Sequence, residues 1–400
     1  MHLFSADLVF TGVSEPIVNG IVAIDNDGRI ISIADPGSEE GRILANEKPR
    51  RLDGFLTPGF INAHCHLELS HLKGLLTEGS GLLHFIGQII SMRDEANHRK
   101  VIAAAASAAD EMKSNGIVAV GDICNTADTI ETKRKSPILW HNFVEIFDID
   151  PVRAEESFNE GINLAGKFSG IAGFEHVSLT PHAPYSVSNR LLDMINTCAY
   201  ENGSLLSIHN QESASEDEMF REGRGDLFEM MKKFGLPAGR NLPTGFSSLS
   251  STMVHLERCH RLLLVHNTYT PGEDVDWTKR YGEQTWWCLC PNANLFIEAR
   301  LPDINMLRSK VSSHMMLGTD SYASNWSLSI LDEMKTITKQ FPQIPLDELL
   351  QWACRNGAEF YGWKHLGTLE KGKKPGLLHL ENVDVKNPRI LPETTVRRMS

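Results

Sequence analysis

Apolar and polar residues alternate through much of the first fifty positions of the chain. Residues 7–11 and 21–34 follow this two-residue period, which is typical of strands with one buried face. Asn26-Asp27-Gly28 interrupts the second run and is a strong hairpin signal, because glycine readily adopts the positive φ that tight hairpin turns need. The sequence therefore predicts a small antiparallel sheet near the amino terminus.

From about residue 55 onward the pattern changes to continuous apolar runs that alternate with segments of helical period. The runs that we interpret as buried strands cover residues 55–63, 117–123, 138–147, 176–180, 204–209, 261–266, 285–290 and 314–318. The segments that predict helices include residues 101–114, 189–201, 216–233, 328–339 and 346–360. Eight short buried strands that alternate with helices favour an α/β fold of the (β/α)8 TIM-barrel type over an open sheet.

The carboxy-terminal segment returns to the strand pattern. Residues 367–372 and 377–380 both predict strands, which could complete the amino-terminal sheet. We therefore expect two domains: a small β-sandwich formed by residues 1–54 and 365–400, and a barrel formed by residues 55–364.

Charge and apolar content exclude two classes of partner. The net charge is −12 and there is no long basic run, so we do not expect the chain to bind nucleic acid. No apolar run reaches the ~18 residues of a membrane span, and the amino terminus lacks the basic and apolar regions of a signal peptide. Seven scattered cysteines are typical of reduced thiols, so we expect a cytoplasmic protein with a small-molecule substrate, and a homodimer is left open.

Histidine and acidic residues stand where several predicted strands end. His64 and His66 form a His-x-His pair after the first strand, and two imidazoles spaced in this way on an extended backbone point to the same side. His209 ends the fifth strand and Asp320 follows the eighth. Because the carboxyl ends of barrel strands meet at one face, these four side chains should converge there. Three imidazoles and one carboxylate suit Zn²⁺ with a position left for water.

Two further residues at the same face could move protons. Glu212 lies just after His209 and could act as a proton shuttle, and His266 ends the sixth strand, where it could stabilise or deprotonate metal-bound water. Taken singly, each residue has an ordinary structural explanation; Asp320, for example, could be a helix N-cap. Their joint placement at one barrel face is what favours a catalytic site.

Several of these motifs resemble a known family. Residues 57–66, Thr-Pro-Gly-Phe-Ile-Asn-Ala-His-Cys-His, resemble the first-strand signature of the amidohydrolase superfamily. His209-Asn-Gln-Glu212, His266 and Gly318-Thr-Asp320 resemble the aminohydrolase branch of that superfamily. The resemblance covers essentially the whole chain, although Pro-Gly at 375–376 stands where an Ala-Asp pair is common.

The resemblance implies a set of roles. His64, His66, His209 and Asp320 would bind the metal, with Glu212, His266 and Asp320 catalytic. No lysine ends the third or fourth strand, where binuclear members carry a bridging carboxylated lysine, so one divalent ion is expected. Zn²⁺ is the first candidate, with Fe²⁺ or Mn²⁺ as alternatives.

Two residues are candidates for binding the substrate. Residues 181–188, Pro-His-Ala-Pro-Tyr-Ser-Val-Ser, are similar to the fourth-strand segment of deaminases that act on S-adenosylhomocysteine and methylthioadenosine, which implies that His182 contacts the substrate. Glu68, two residues after His66, resembles a glutamate of aminodeoxyfutalosine deaminases. It could bind a substrate hydroxyl or amine, or support a metal ligand.

These resemblances imply hydrolytic deamination of an adenosine-like nucleoside. Aminodeoxyfutalosine, an intermediate of menaquinone biosynthesis, is the first candidate substrate. S-Adenosylhomocysteine, methylthioadenosine, guanine and a pterin are alternatives within the class. A chlorohydrolase or cyclic amidohydrolase would use the same metal site, and a barrel without catalytic activity is a third possibility.

Overall fold

The computed structural model describes residues 1–93, 97–171, 174–235, 242–257, 259 and 261–399. The strands in these ranges are β1 (His2–Val9), β2 (Ile17–Val18), β3 (Ile21–Ile24), β4 (Ile30–Ala34), β5 (Arg50–Pro58), β6 (Phe60–Cys65), β7 (Ile117–Cys124), β8 (Leu139–Ile146), β9 (Phe174–Pro181), β10 (Leu206–Asn210), β11 (Leu262–His266), β12 (Thr285–Leu289), β13 (Met315–Leu317), β14 (Leu377–Asp384) and β15 (Arg389–Arg398).

The helices of the same ranges are α1 (Glu39–Asn46), α2 (Leu82–Arg93), α3 (His98–Ser114), α4 (Ile130–Lys135), α5 (Ala154–Phe168), α6 (Asn189–Asn202), α7 (Ala214–Glu222), α8 (Asp226–Lys233), α9 (Ser248–Met253), α10 (Gly272–Thr278), α11 (Pro291–Glu298), α12 (Ile304–Val311), α13 (Ile330–Gln340), α14 (Leu346–Leu350) and α15 (Asn356–Tyr361). A π-helical segment, Gln351–Arg355, joins the last two. None of the helices described is long and apolar enough to cross a membrane.

One compact unit consists of residues 1–62, 110–119 and 329–400. Its centre is a sheet in the order β15-β14-β5-β1-β3-β4, with β2 paired to β1, so strands from both chain ends lie side by side. The predicted hairpin joins β3 to β4. The Asp25 carboxylate accepts hydrogen bonds there from the backbone N–H groups of Asp27 and Arg29, and Gly28 has a φ of 81°.

The other compact unit consists of residues 63–109 and 120–328. Two four-stranded sheets run through this part of the chain, in the orders β6-β7-β8-β9 and β10-β11-β12-β13. The pairs β8–β9, β10–β11, β11–β12 and β12–β13 are parallel. Hydrogen bonds link the two sheets at both edges: Thr180 bonds to the backbone of Ser207, and Cys65 forms a parallel bridge with Asp320. The α/β class predicted from the sequence is confirmed, with helices following the parallel strands.

The predicted strand 55–63 is wrong as one element. Residues up to Pro58 belong to β5, which pairs with β1 and β14, and β6 begins at Phe60. The break is at Gly59, where a Cβ atom would lie 2.4 Å from a methyl group of Val118 and 2.6 Å from the carbonyl oxygen of Pro375. Both strands are buried, so an unbroken apolar run hid the boundary between them.

Two other sequence predictions also need correction, and both fail at glycines. The predicted strand 367–372 is irregular backbone that ends in a turn, and Gly367 and Gly372 have φ values of 81° and 87°, which strands do not adopt. The predicted helix 216–233 is two helices, α7 and α8, separated where Gly223 and Gly225 have φ values of 64° and 97°. Two glycines close together, each with positive φ, ended the regular structure in both places.

Replacing Gly59 by alanine should destabilise the protein, because the new methyl group would overlap the Pro375 carbonyl. We expect Gly59→Ala to lower the free energy of unfolding by about 2 kcal/mol or more, measured by chemical denaturation. Gly166→Ala, in helix α5 with nothing within 4 Å of the added Cβ, is the matched control. Alanine favours the helix there by up to about 1 kcal/mol. Equal stability of the two variants would contradict the close approach at Gly59.

Candidate functional site

The structure brings together the four residues predicted to bind a metal. His64 lies in β6, His66 directly follows that strand, His209 lies in β10, and Asp320 follows β13. The Nε2 atom of His66 lies 3.1 Å from Nε2 of His64 and 3.2 Å from Nε2 of His209. An oxygen of Asp320 lies 3.6 Å from the His64 nitrogen and 3.5 Å from the His66 nitrogen. All four side chains are buried.

These distances match the spacing of ligands around one ion. Ligand atoms held tetrahedrally at ~2.0–2.1 Å from a metal lie about 3.3 Å from one another. The Nδ1–H group of His209 donates a hydrogen bond to the carbonyl oxygen of His182 at 2.8 Å, so in the neutral ring the lone pair is on Nε2, which faces His66. The donor atoms present could therefore hold one divalent ion.

The charges of the four residues fit a cation as well. Burial lowers the pKa of His66 to about 3 and also lowers the pKa of His209, with the neighbouring histidines acting in the same direction. Burial by itself would raise the pKa of Asp320, but its interactions with His64 and the other histidines outweigh burial and hold that pKa well below the ordinary value. Low pKa values keep His66 and His209 neutral beside the ionised carboxylate of Asp320.

The backbone at this site adopts unusual conformations. His266 and Asp320 have φ values of 71° and 56°, in the left-handed region that non-glycine residues rarely enter. The backbone N–H of Asp320 donates to the carbonyl oxygen of His64 at 3.0 Å, which fixes the two ligands relative to each other. Gly318 permits this approach, because a Cβ atom there would lie 2.9 Å from the Cβ of His64. Such strain is found where surrounding contacts over-determine a functional geometry.

Glu212 and His266, the predicted proton-transfer residues, lie next to each other. Nε2 of His266 is 3.6 Å from a carboxylate oxygen of Glu212. Nδ1–H of His266 donates to the side-chain oxygen of Asn294 at 3.0 Å, and the Asn294 amide group donates back to the His266 carbonyl at 3.2 Å. In neutral His266 the Nε2 atom is therefore an acceptor.

The pKa of the Glu212 carboxyl group lies near neutral pH. Burial raises its pKa to about 7; His266 lowers it, while Asp320 raises it further. A carboxyl group with this pKa can hold a proton and also release one near neutrality, which is what general acid–base catalysis requires.

The two predicted substrate residues have different surroundings. The His182 ring centre lies 4.9 Å from that of His209, and its Nδ1 atom is 2.7 Å from the Ser186 hydroxyl. One carboxylate oxygen of Glu68 instead accepts hydrogen bonds from the backbone N–H groups of Asn125 and Thr126, both at 3.0 Å. This oxygen of Glu68 fixes the loop that follows β7.

Sequence reasoning missed Glu145 and Asn294. One Glu145 oxygen accepts a hydrogen bond from the Asn125 side chain at 3.0 Å, and the other lies 3.7 Å from Nδ1 of His209. Its signal was an acidic residue inside an apolar strand, two positions before the predicted strand end. Asn294, on helix α11, had no such signal, because its role depends on reaching His266 across the fold.

The sequence matches the amidohydrolase family over residues 55–395. The adenosine deaminase of Helicobacter pylori is 27% identical over 80% of this chain and 78% of its own. The aminodeoxyfutalosine deaminase of Deinococcus radiodurans is 24% identical over 90% of this chain and 86% of its own. The crystal structure of Helicobacter pylori aminofutalosine deaminase with methylthio-coformycin has a TM-score of 0.80 at 23% identity, covering 96% of this chain and 93% of its own. That structural similarity establishes the fold alone.

Replacing Glu212 by glutamine should change how the stability of the metal-free protein depends on pH. The carboxyl pKa is about 7 in the folded protein against an ordinary 4.5, so between these values the folded state keeps a proton that the unfolded chain has released. This group therefore lowers the free energy of unfolding as the pH rises through that window, by about 3 kcal/mol in total.

Glutamine carries no such proton. Between about pH 4.5 and about pH 8, Glu212→Gln should gain about 3 kcal/mol of stability relative to the parent chain. Denaturant titrations with a chelator present measure this difference. A difference that does not change with pH would contradict the raised pKa.

Proposed function

The chain belongs to the amidohydrolase family and is a hydrolase acting on carbon–nitrogen bonds, and on that premise we propose that it deaminates an adenosine-like nucleoside with one bound divalent metal ion. One observation carries the proposal: Glu212, with a pKa raised to about 7, lies beside His266 next to the cluster of candidate ligands. Hydrolytic deamination needs this combination, because water must be activated and a ring nitrogen must be protonated.

His64, His66, His209 and Asp320 would hold the metal ion. Imidazole nitrogens with a single carboxylate favour Zn²⁺, with Fe²⁺ or Mn²⁺ as alternatives. When bound, such an ion lowers the pKa of a water molecule to about 7 and so supplies the nucleophile at neutral pH. The ionised Asp320 carboxylate balances part of the charge of the cation.

Proton transfer would fall to Glu212 and His266. The Glu212 carboxyl group would donate its proton to the ring nitrogen of the amidine as water adds to the neighbouring carbon. The resulting carboxylate would then take the remaining proton of the added hydroxyl group and pass it to the amino group, which leaves as ammonia as the carbonyl forms. Nε2 of His266, left as an acceptor by the hydrogen bond that Nδ1–H gives to Asn294, would orient the attacking water and accept a proton from it. Asp320 would help to activate the same water, since its low pKa keeps the carboxylate ionised.

Aminodeoxyfutalosine is the first candidate substrate. Support comes from the relatives, since one that covers 90% of this chain is an aminodeoxyfutalosine deaminase. His182 would contact the substrate from beside His209, and Glu68, at the start of the turn Leu67–Leu72, would help to recognise it. S-Adenosylhomocysteine, methylthioadenosine and guanine are the alternative substrates.

The architecture that would support this activity is a closed barrel. We infer that β6 to β13 close into a (β/α)8 barrel, since hydrogen bonds link the two parallel sheets at both edges. The strands from both chain ends would form the small domain. We further propose that the protein is a cytoplasmic enzyme with a small-molecule substrate, and a homodimer is left open.

Glu212→Gln should abolish turnover while the metal stays bound, because the carboxyl group is assigned to proton transfer and not to coordination. We expect the rate of ammonia release to fall by about 10²-fold or more, as is typical when a general acid–base residue is removed. His209→Ala is the matched variant and should lose the metal along with activity, as measured by elemental analysis after dialysis. Full activity of Glu212→Gln would contradict the assignment of Glu212 to proton transfer.

A panel of substrates tests the choice of reaction. The purified protein should release ammonia from aminodeoxyfutalosine with a higher kcat/KM than from S-adenosylhomocysteine, methylthioadenosine, adenosine or guanine. Loss of the adenine-type absorbance should accompany the ammonia. A chlorotriazine and a cyclic amide in the same panel represent the other hydrolases that could use this site, and turnover of either one in place of the nucleosides would overturn the proposal.

A further inference from the structure

A fully buried ion pair lies close to the candidate ligands without belonging to them. The Asp122 carboxylate, in β7, and the Lys133 ammonium, in α4, are 2.6 Å apart, and both side chains are 0% exposed. Lys133 also donates to the side-chain oxygen of Asn142 at 2.6 Å. Removing two charges from water is costly, so a buried ion pair is weak evidence of a contribution to stability. The pair needs another explanation.

The second oxygen of Asp122 connects the pair to the metal ligands. It accepts a hydrogen bond from the backbone N–H of Leu67 at 2.8 Å. Leu67 directly follows His66 and begins the 3-10 turn Leu67–Leu72. The buried carboxylate therefore fixes the backbone one residue after a candidate ligand.

A second contact runs in the opposite direction. Glu68, the next residue, accepts hydrogen bonds from the backbone N–H groups of Asn125 and Thr126, which follow β7. The two residues after His66 are thus hydrogen-bonded to three residues in and after β7. We call these five residues the β7 clasp: Leu67, Glu68, Asp122, Asn125 and Thr126. The clasp joins the end of β7 to the backbone that leaves His66.

Among the three candidate imidazole ligands, His66 is the one that most needs such support. His64 and His209 lie within β6 and β10, so the pairing of those strands sets their positions. His66 lies outside the strand, with φ −122° and ψ 81°. Its ring nitrogen nevertheless contacts those of both other histidines.

We propose that Asp122 is a positioning residue that holds His66 in the geometry needed to bind the metal, and that Lys133 neutralises the buried charge of Asp122. Lys133 binds one oxygen of Asp122 and balances its charge, which leaves the other oxygen directed at the Leu67 N–H. The inference rests on the proposed metal centre, because it assigns the buried pair to the support of one ligand of that centre. Residues outside the ligand set commonly have such an effect, and their loss weakens metal binding by about 10–100-fold.

Two uncharged double variants test this proposal. Asp122→Asn with Lys133→Met removes both charges and keeps a side-chain oxygen that can accept from Leu67. Asp122→Leu with Lys133→Met removes the same charges and also the acceptor. The dissociation constant of Co²⁺ is measured by chelator competition, together with the visible spectrum of bound Co²⁺ and the melting temperature of the metal-free protein.

The asparagine pair should bind Co²⁺ within about threefold of the parent and give the same spectrum. The leucine pair should bind about 10–100-fold more weakly, with an altered spectrum. A purely structural role would lower both melting temperatures and leave the two affinities equal, which would overturn the proposal. If the leucine pair does not fold, Asp122→Ala with Lys133→Met replaces it with the same expectation. Failure of the parent chain to bind Co²⁺ would instead overturn the metal centre itself.

Discussion

Three imidazole nitrogens and a carboxylate oxygen can crowd together in the interior of a protein only if they do not all carry charge. Burial meets this condition by lowering the pKa values of His66 and His209, so those rings are neutral when they approach each other. The carboxylate of Asp320 stays ionised because the histidines outweigh its burial. A buried group of imidazole donors with one ionised carboxylate is suited to a cation. The rest of the site is arranged around this constraint.

The fold supplies the positions of these groups in two ways. Two candidate ligands lie within strands, His64 and His209, and the pairing of those strands sets their positions. Groups just beyond the strands need other support. Asp320 obtains it from the hydrogen bond that its backbone N–H donates to the His64 carbonyl. His266, the last residue of β11, is held by a two-way exchange of hydrogen bonds with Asn294. The β7 clasp would do the same for His66. Each group outside a strand is therefore fixed by contacts with a different part of the chain.

This division explains how much the sequence could predict. His64, His209 and Asp320 were predicted because an apolar strand precedes each of them, and that pattern is local. Glu145 and Asn294 were missed because their roles depend on neighbours that only the folded chain brings close. The boundary between β5 and β6 was not predicted, for a related reason. Both strands are buried, and what separates them at Gly59 is contact with distant residues, which the apolar pattern does not reveal. Local periodicity indicates helices, strands and their ends. Tertiary contacts determine where a buried strand is interrupted and which neighbours hold a side chain of the site in place.

Glu212 and His266 show why burial matters beyond the four candidate ligands. In water, a glutamate would be ionised at neutral pH and could not give a proton to a ring nitrogen. Burial raises the pKa of Glu212, and its two neighbours act in opposite directions, since His266 lowers that pKa and Asp320 raises it. The result lies near neutrality only while the group stays out of water. The fold alone does not select the leaving group, so the choice among substrates has to come from side chains that follow the strands, and His182 is a candidate for this role.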